Sequence, residues 1–188
     1  FPRCPRPEVP VDAPVALIFS PHPDDEVIIG GLALRLLREA KWNVINVAVT
    51  QGSNKARQAG RWEELKACCD CIGFGLVQTM PGGLEKVNAA TREKDPAHWA
   101  ASVKIIADIL AKHRPQVIFF PHDTDWNSSH IGTHHLVMDA LRALPADFQT
   151  WAVETEFWGA MTSPNLMVEV SPADLADLIT ALTFHVGE

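Results

Sequence analysis

A chain of 188 residues, 47% hydrophobic and 21% charged, is sized and composed for one globular domain with a sizeable core. Its net charge of −7 excludes a nucleic-acid-binding surface and anchoring to an anionic membrane, so neither is an expected partner. No apolar run reaches the ~18 residues that span a bilayer, and no basic stretch leading into an apolar one opens the chain as a signal peptide would.

Residues 1–12 (FPRCPRPEVPVD) are proline-rich and unpatterned, an extended lead-in to a domain expected over residues 13–188. Ala13 to Phe19 is an apolar run rich in β-formers and predicts a buried strand. Val27 to Arg38 has apolar residues at helical spacing and ends in basic residues, which predicts a helix. Between them lies Ser20-Pro21-His22-Pro23-Asp24-Asp25-Glu26, at the carboxyl end of a strand and the amino end of a helix. Open α/β sheets bind ligands at that edge. Acids in a first helical turn complement the helix dipole, which accounts for Asp24 and Glu26. It does not account for His22 held between two prolines directly before two aspartates. This segment is the candidate active site.

Val44 to Thr50 predicts a second buried strand, followed by the turn Gln51-Gly52-Ser53. Ala56 to Cys71 predicts a helix, with Gly73 as its cap, and Gly75 to Met80 a third strand. Cys68, Cys69 and Cys71 cluster in this helix while Cys4 stands alone. Neighbouring helical cysteines bridge poorly and no second CxxC completes a zinc ribbon, so reduced thiols and a reducing, cytoplasmic setting are expected. Pro81 to Pro96 lacks a pattern and is expected to be a mobile or functional loop. Trp99 to His113 predicts a helix stopped by Arg114-Pro115, and Gln116 to Phe120 a fourth strand. The polar loop from Pro121 to His130 then leads into a helix over Ile131 to Leu144. Trp151–Trp158 and Leu166–Val170 are expected strands. Ser171-Pro172-Ala173-Asp174 starts a last helix, with serine at the N-cap, proline at N1 and an acid at N3.

Alternating strands and helices with continuous apolar strands predict an α/β fold: one Rossmann-like domain, a mostly parallel sheet with helices on both faces. No GxGxxG follows the first strand, so a dinucleotide is not implied. Gly30-Gly31 falls inside the first predicted helix, where it permits close packing onto the sheet.

Two polar loops at carboxyl strand ends, both bearing histidine and aspartate, face one another across such a sheet. His22, Asp25 and one histidine of the second loop form a two-His, one-carboxylate set, the composition of a catalytic zinc site with a position open to water. His122, His130, His134 and His135 are all available. His130 and His134 are four apart and share a helix face, so register alone does not choose between them. His135 points elsewhere, and His98, His113 and His185 have no partner in sequence.

PHPDDE after a first strand resembles the hallmark of the PIG-L/LmbE-type zinc de-N-acetylases, which remove acetyl groups from N-acetylglucosamine-containing molecules. Thr50-Gln51-Gly52, Arg61-Trp62-Glu63-Glu64, Arg114-Pro115, Asp125 through His130 with the following helix, and Ala181-Leu182 with His185 extend the resemblance over nearly the whole chain. It implies His22, Asp25 and His130 as ligands of one zinc ion and Asp24 as general base. Counting back from Asp139-Ala140-Leu141 places the third ligand at His130 and puts Asn127 where the family carries a first histidine, and Ser129 where it carries aspartate. Asn127 must then donate a hydrogen bond to the tetrahedral intermediate, or His134 must substitute. Arg61 is a candidate substrate ligand, since a guanidinium fork suits anionic or hydroxylated groups, with an ion pair to Glu64 as the alternative. Asp125 joins the expected substrate-binding side.

The implied activity is hydrolysis of a linear amide in an N-acetylated sugar conjugate, a small-molecule partner, giving acetate and free amine. Related chains often continue past a segment like Phe184–Glu188, so sequence beyond Glu188 is implied. A homo-oligomer is compatible with the sequence. Two other readings stand beside this one: a non-catalytic zinc- or sugar-binding module, and a magnesium-dependent phosphoryl-transfer domain. Two histidine ligands argue against the latter, because magnesium prefers oxygen.

Overall fold

In the computed structural model, which describes residues 7–187, the continuous apolar runs become the buried strands of a parallel sheet. The strands are β1 (Val15–Ser20), β2 (Asn43–Ala48), β3 (Gly75–Gln78), β4 (Val117–Pro121) and β5 (Trp151–Thr155). Their spatial order is β3-β2-β1-β4-β5, and every neighbouring pair is parallel. The helices are α1 (Asp25–Ile28), α2 (Gly31–Arg38), α3 (Lys55–Ile72), α4 (Ala89–Lys94), α5 (Pro96–His113), α6 (Ser128–Ala143) and α7 (Pro172–Leu182).

Side chains of successive strand residues leave opposite faces, so each strand feeds two cores. Ala16, Ile18, Val44, Ala48 and Phe119 pack with Leu34, Leu37, Leu65, Cys68 and Leu178 from α2, α3 and α7. Leu17, Phe19, Val47, Ile118 and Phe120 pack with Ile106, Leu110, Leu136 and Val137 from α5 and α6. Both faces are thus covered. The chain leaves β1 toward β2 on one side and returns to β4 on the other, so the crevice above the carboxyl ends of β1 and β4 is the topological switch point.

The first predicted helix is two. It breaks at Ile29–Gly30, and the glycine pair faces α7 and the segment before it rather than the sheet. A Cβ on Gly30 would lie 2.8 Å from both Glu26 O and Leu178 Cδ2, and one on Gly31 would lie 2.6 Å from Val170 Cγ2. Two ion pairs clamp the same contact: Arg38 Nη1 with Asp174 Oδ1 at 2.5 Å, and Arg38 Nη2 with Asp177 Oδ2 at 2.7 Å. Ser171 caps α7 as expected, its Oγ accepting from Asp174 N at 3.0 Å.

Leu166–Val170 is no strand. β5 ends at Thr155 and is the sheet's outer strand, and the later segment finds no ladder partner among the described residues. The expected loop over Pro81–Pro96 is built into the fold instead. Leu84 and Val87 are buried in the second core, Gly83 bridges to Thr50, and Asn88 caps α4 by accepting from Thr91 N. Cys68 and Cys69 are buried free thiols, Cys71 is buried beside them, and Cys4 lies outside the described residues. Among the described residues no helix is long and apolar enough to cross a membrane.

Candidate metal and catalytic site

The loop after β1 and the start of α1 carry His22, Asp24 and Asp25, and the loop after β4 delivers His130 from the first turn of α6. Asn127 is the N-cap of α6, its Oδ1 accepting from Ser129 N at 2.8 Å, so the helix begins at Ser128, earlier than expected. That start places His130 in the crevice facing the β1 loop. The atoms of His22, Asp25 and His130 that could hold a metal ion all lie within 4.8 Å of one another. Asp25 Oδ2 is 3.5 Å from His22 Nδ1 and 3.4 Å from His130 Nε2, and the two imidazole centroids are 5.3 Å apart.

Asp25 is buried, and its Oδ2 accepts the His22 backbone N–H at 2.8 Å. Burial works against its charged form, but the His130 and His22 rings beside it outweigh burial and hold the carboxyl below its ordinary pKa. His130 is fully buried. Burial pushes its pKa down, yet Asp25 on one side and Asp125 on the other leave it raised.

Asp125 stands 3.2 Å from His130 Nδ1. Its Oδ1 accepts from Asn127 N, and its Oδ2 from Trp158 N and Gly159 N. These amide donors overcome burial and keep the carboxylate charged. Phe157, just after β5, sets its ring edge-on to His130 with centroids 5.0 Å apart. The expected strand Trp151–Trp158 ends at Thr155, and the segment Phe157–Gly159 is a strap over the second loop. His122 of the second loop holds the strap as well, its Nε2 meeting Gly159 O at 2.7 Å.

His134, one turn along α6, turns to the end of β4. Its Nδ1 is 3.1 Å from Pro121 O and 3.4 Å from Glu154 Oε1, apart from the cluster of His22, Asp25 and His130. Arg61 reaches from α3 to donate from Nη1 to Gln51 O at 3.2 Å, and Nη1 occupies the space beside Gly52 (φ 76°) where a Cβ would lie only 1.9 Å away. Glu64 Oε1 lies 3.7 Å from Arg57.

A cleft of about 340 Å³ opens beside the cluster. His22, Thr50, Gly52, Gln58 and Ser129 line it together with the segment from Leu84 to Asn88. A larger groove of about 620 Å³ beside β5 includes none of His22, Asp25 and His130.

The donor set fits a metal. Among the described residues neither ring nitrogen of the buried His130 makes a hydrogen bond of good geometry, the Asp125 and Asp25 oxygens standing 3.2 and 3.4 Å away, an arrangement that costs free energy unless something else satisfies them. His22, Asp25 and His130 would hold such a cation, with Asp125 on the Nδ1 side of the His130 ring to orient it.

A protein-family profile described as PIG-L, GlcNAc-PI de-N-acetylase, matches residues 17–141 and so spans β1 through most of α6. The chain belongs to this family. Membership makes it an amide hydrolase of the N-deacetylase class. Solved structures of similar fold include an N,N'-diacetylchitobiose deacetylase from Pyrococcus horikoshii, with TM-score 0.65 and 18% identity over 93% of this chain and 70% of that one. A deacetylase of teicoplanin biosynthesis gives TM-score 0.62 and 19% identity over 90% and 83% of the two chains. GalB, the 4-carboxy-2-hydroxymuconate hydratase of Pseudomonas putida KT2440, gives TM-score 0.71 and 17% identity over 93% and 80%. No curated protein matches the chain by sequence.

A second buried cluster, Glu26, Cys68 and His185, lies behind the PIG-L hallmark loop. His185 Nε2 is 2.9 Å from Glu26 Oε1, Cys68 Sγ donates to the same oxygen at 3.0 Å, and Glu26 Oε2 accepts the Asp24 backbone N–H at 3.0 Å. The resemblance drew His185 into the family pattern, but nothing in the sequence paired it with Glu26, 159 positions away.

Proposed function

We propose that the chain removes the acetyl group from an N-acetylglucosamine-type conjugate with one zinc ion held by His22, Asp25 and His130. The observation that carries this is the convergence of His22, Asp25 and the buried His130, whose ring nitrogens make no hydrogen bond of good geometry among the described residues, beside an open cleft. The sugar class is taken from the family profile's description and from the chitobiose deacetylase of the same fold. Zinc bound at such a set supplies Lewis acidity toward water and toward an amide carbonyl.

Asp24 adjoins the ligand Asp25 in sequence and is half-buried beside the cluster. Its carboxylate takes the proton of the attacking water and returns it to the departing nitrogen as the C–N bond breaks. Acetate and a free amine result, and the protein is unchanged. Asn127 spends Oδ1 on the α6 cap, so Nδ2 remains to donate to the developing oxyanion. This division lets one asparagine both start the helix and stand in for the family's histidine. His134, held by Pro121 O and near Glu154, is the less suited substitute. Arg61 braces the Gln51–Gly52 turn, and a substrate hydroxyl or anionic group entering the cleft meets that turn.

The test is acetate and amine release from N-acetylglucosamine conjugates by zinc-loaded protein, with Asp24→Asn alongside. Turnover by the wild type, abolished in Asp24→Asn with zinc retained, is expected. No acetate from any N-acetylated sugar would overturn the assignment.

A further inference from the structure

Asp24 has a backbone φ of 112° with ψ of −32°, a region that residues with a Cβ rarely occupy. Such a conformation is costly and persists only where the surroundings enforce it. One enforcing contact is the hydrogen bond from the Asp24 N–H to Glu26 Oε2, two residues on. Glu26 is itself 0% exposed, and a buried carboxylate needs partners. Those partners come from elsewhere in the fold: His185 Nε2 and Cys68 Sγ, both on Oε1, leaving Oε2 to the Asp24 amide. His185 follows α7, whose attachment through Arg38, Leu178 and Gly30 fixes where the imidazole arrives.

We infer that His185 is a positioning residue: through Glu26 it fixes the strained backbone of Asp24 and thereby the aim of the Asp24 carboxyl. The chain of contacts runs from His185 Nε2–H to Glu26 Oε1, across the carboxylate to Oε2, and on to the Asp24 N–H. Cys68 completes the carboxylate's shell from α3, so three elements hold one backbone amide. His185 touches neither the cluster of His22, Asp25 and His130 nor the cleft lining, so its loss leaves metal binding intact. The catalytic consequence rests on the proposed role of Asp24 as base, whereas the contact itself does not.

The experiment compares wild type, Glu26→Ala, His185→Leu and His185→Gln, the last keeping an N–H donor. It has two readouts, the amide proton resonance of Asp24 in selectively labelled apoprotein, and kcat and KM of the zinc-loaded protein. An amide bonded to a carboxylate resonates downfield. We expect the Asp24 amide to move upfield in Glu26→Ala and His185→Leu and to stay in His185→Gln. In step with it, kcat is expected to fall about 10- to 100-fold in the first two, with KM and zinc content unchanged, and to recover in His185→Gln. Amide movement without deacetylase activity in the wild type would reject the proposed function and leave the contact standing. An unmoved Asp24 amide in folded His185→Leu overturns the inference, as does unchanged kcat alongside a lowered melting temperature. Two zinc ions per wild-type chain, one lost with His185→Leu, would also overturn it by making the second cluster a metal site.

Discussion

Gly132 of α6 stands against Val87 so closely that a Cβ on it would lie 2.3 Å from the Val87 carbonyl oxygen. The obstacle is backbone, which cannot rotate away, and Val87 belongs to the wall of the cleft. Glycine is thus the residue that lets the segment after β3 seat on α6, two positions from His130. Gly132→Ala is expected to destabilise the fold by about 1–3 kcal/mol, the range of core overpacking. Gly60 in α3 is the control: it is exposed, nothing lies near its absent Cβ, and Gly60→Ala should stabilise by roughly 0.5–1 kcal/mol. Denaturant titrations of both variants check the opposite signs.

Asp139 ties α4, α5 and α6 together. It accepts from Arg92 Nε and Nη2, from Trp99 Nε1 and from Arg142 Nη1, at 2.8–3.0 Å. Burial works against its charge, and these donors win, holding its pKa below the ordinary 3.8. A carboxyl depressed in the folded state stabilises the fold above its unfolded pKa, and that stability is lost as pH falls through the folded value. Asp139→Asn is therefore expected to cost about 1–2 kcal/mol at neutral pH, given that Arg92 is partly exposed, with the difference shrinking below pH 3.8. Melting curves across pH read this directly.

Asp125 accepts three backbone amides and faces His130 Nδ1, so it orients the imidazole and anchors the strap of Phe157–Gly159. Loss of such an outer partner weakens metal binding about 10- to 100-fold. Asp125→Ala is expected to show that loss in a zinc competition titration while the helical signal is retained. Unchanged zinc affinity would mean that packing on Phe157 alone orients the ring.

The strands and most helices were legible because their signals are local: apolar runs for β1, β2 and β4, and helical spacing closed by Gly73 or Arg114-Pro115. What escaped depends on distant neighbours. Ile28 to Gly31 continues an apolar helical pattern, and the break there is set by the close approach of Leu178 and Val170. Leu166–Val170 alternates like a strand but has no partner to pair with beyond the outer strand β5. The hallmark segment offered His22 and Asp25 as ligands by residue type and position, and family resemblance gave Asp24 its role and singled out His130 among four histidines. The geometry then set His134 apart through its bond to Pro121 O. Glu26 and His185, 159 residues apart, share no periodicity that could have linked them.

Fold alone leaves the reaction open, since a hydratase and deacetylases share it at 17–19% identity. The claim that settles the chemistry is the metal set. The most direct measurement is zinc stoichiometry by elemental analysis for wild type, His130→Ala and His134→Ala. About one zinc per chain is predicted, kept in His134→Ala and lost in His130→Ala. Loss with His134 rather than His130, or no zinc in any sample after reconstitution, would contradict the site.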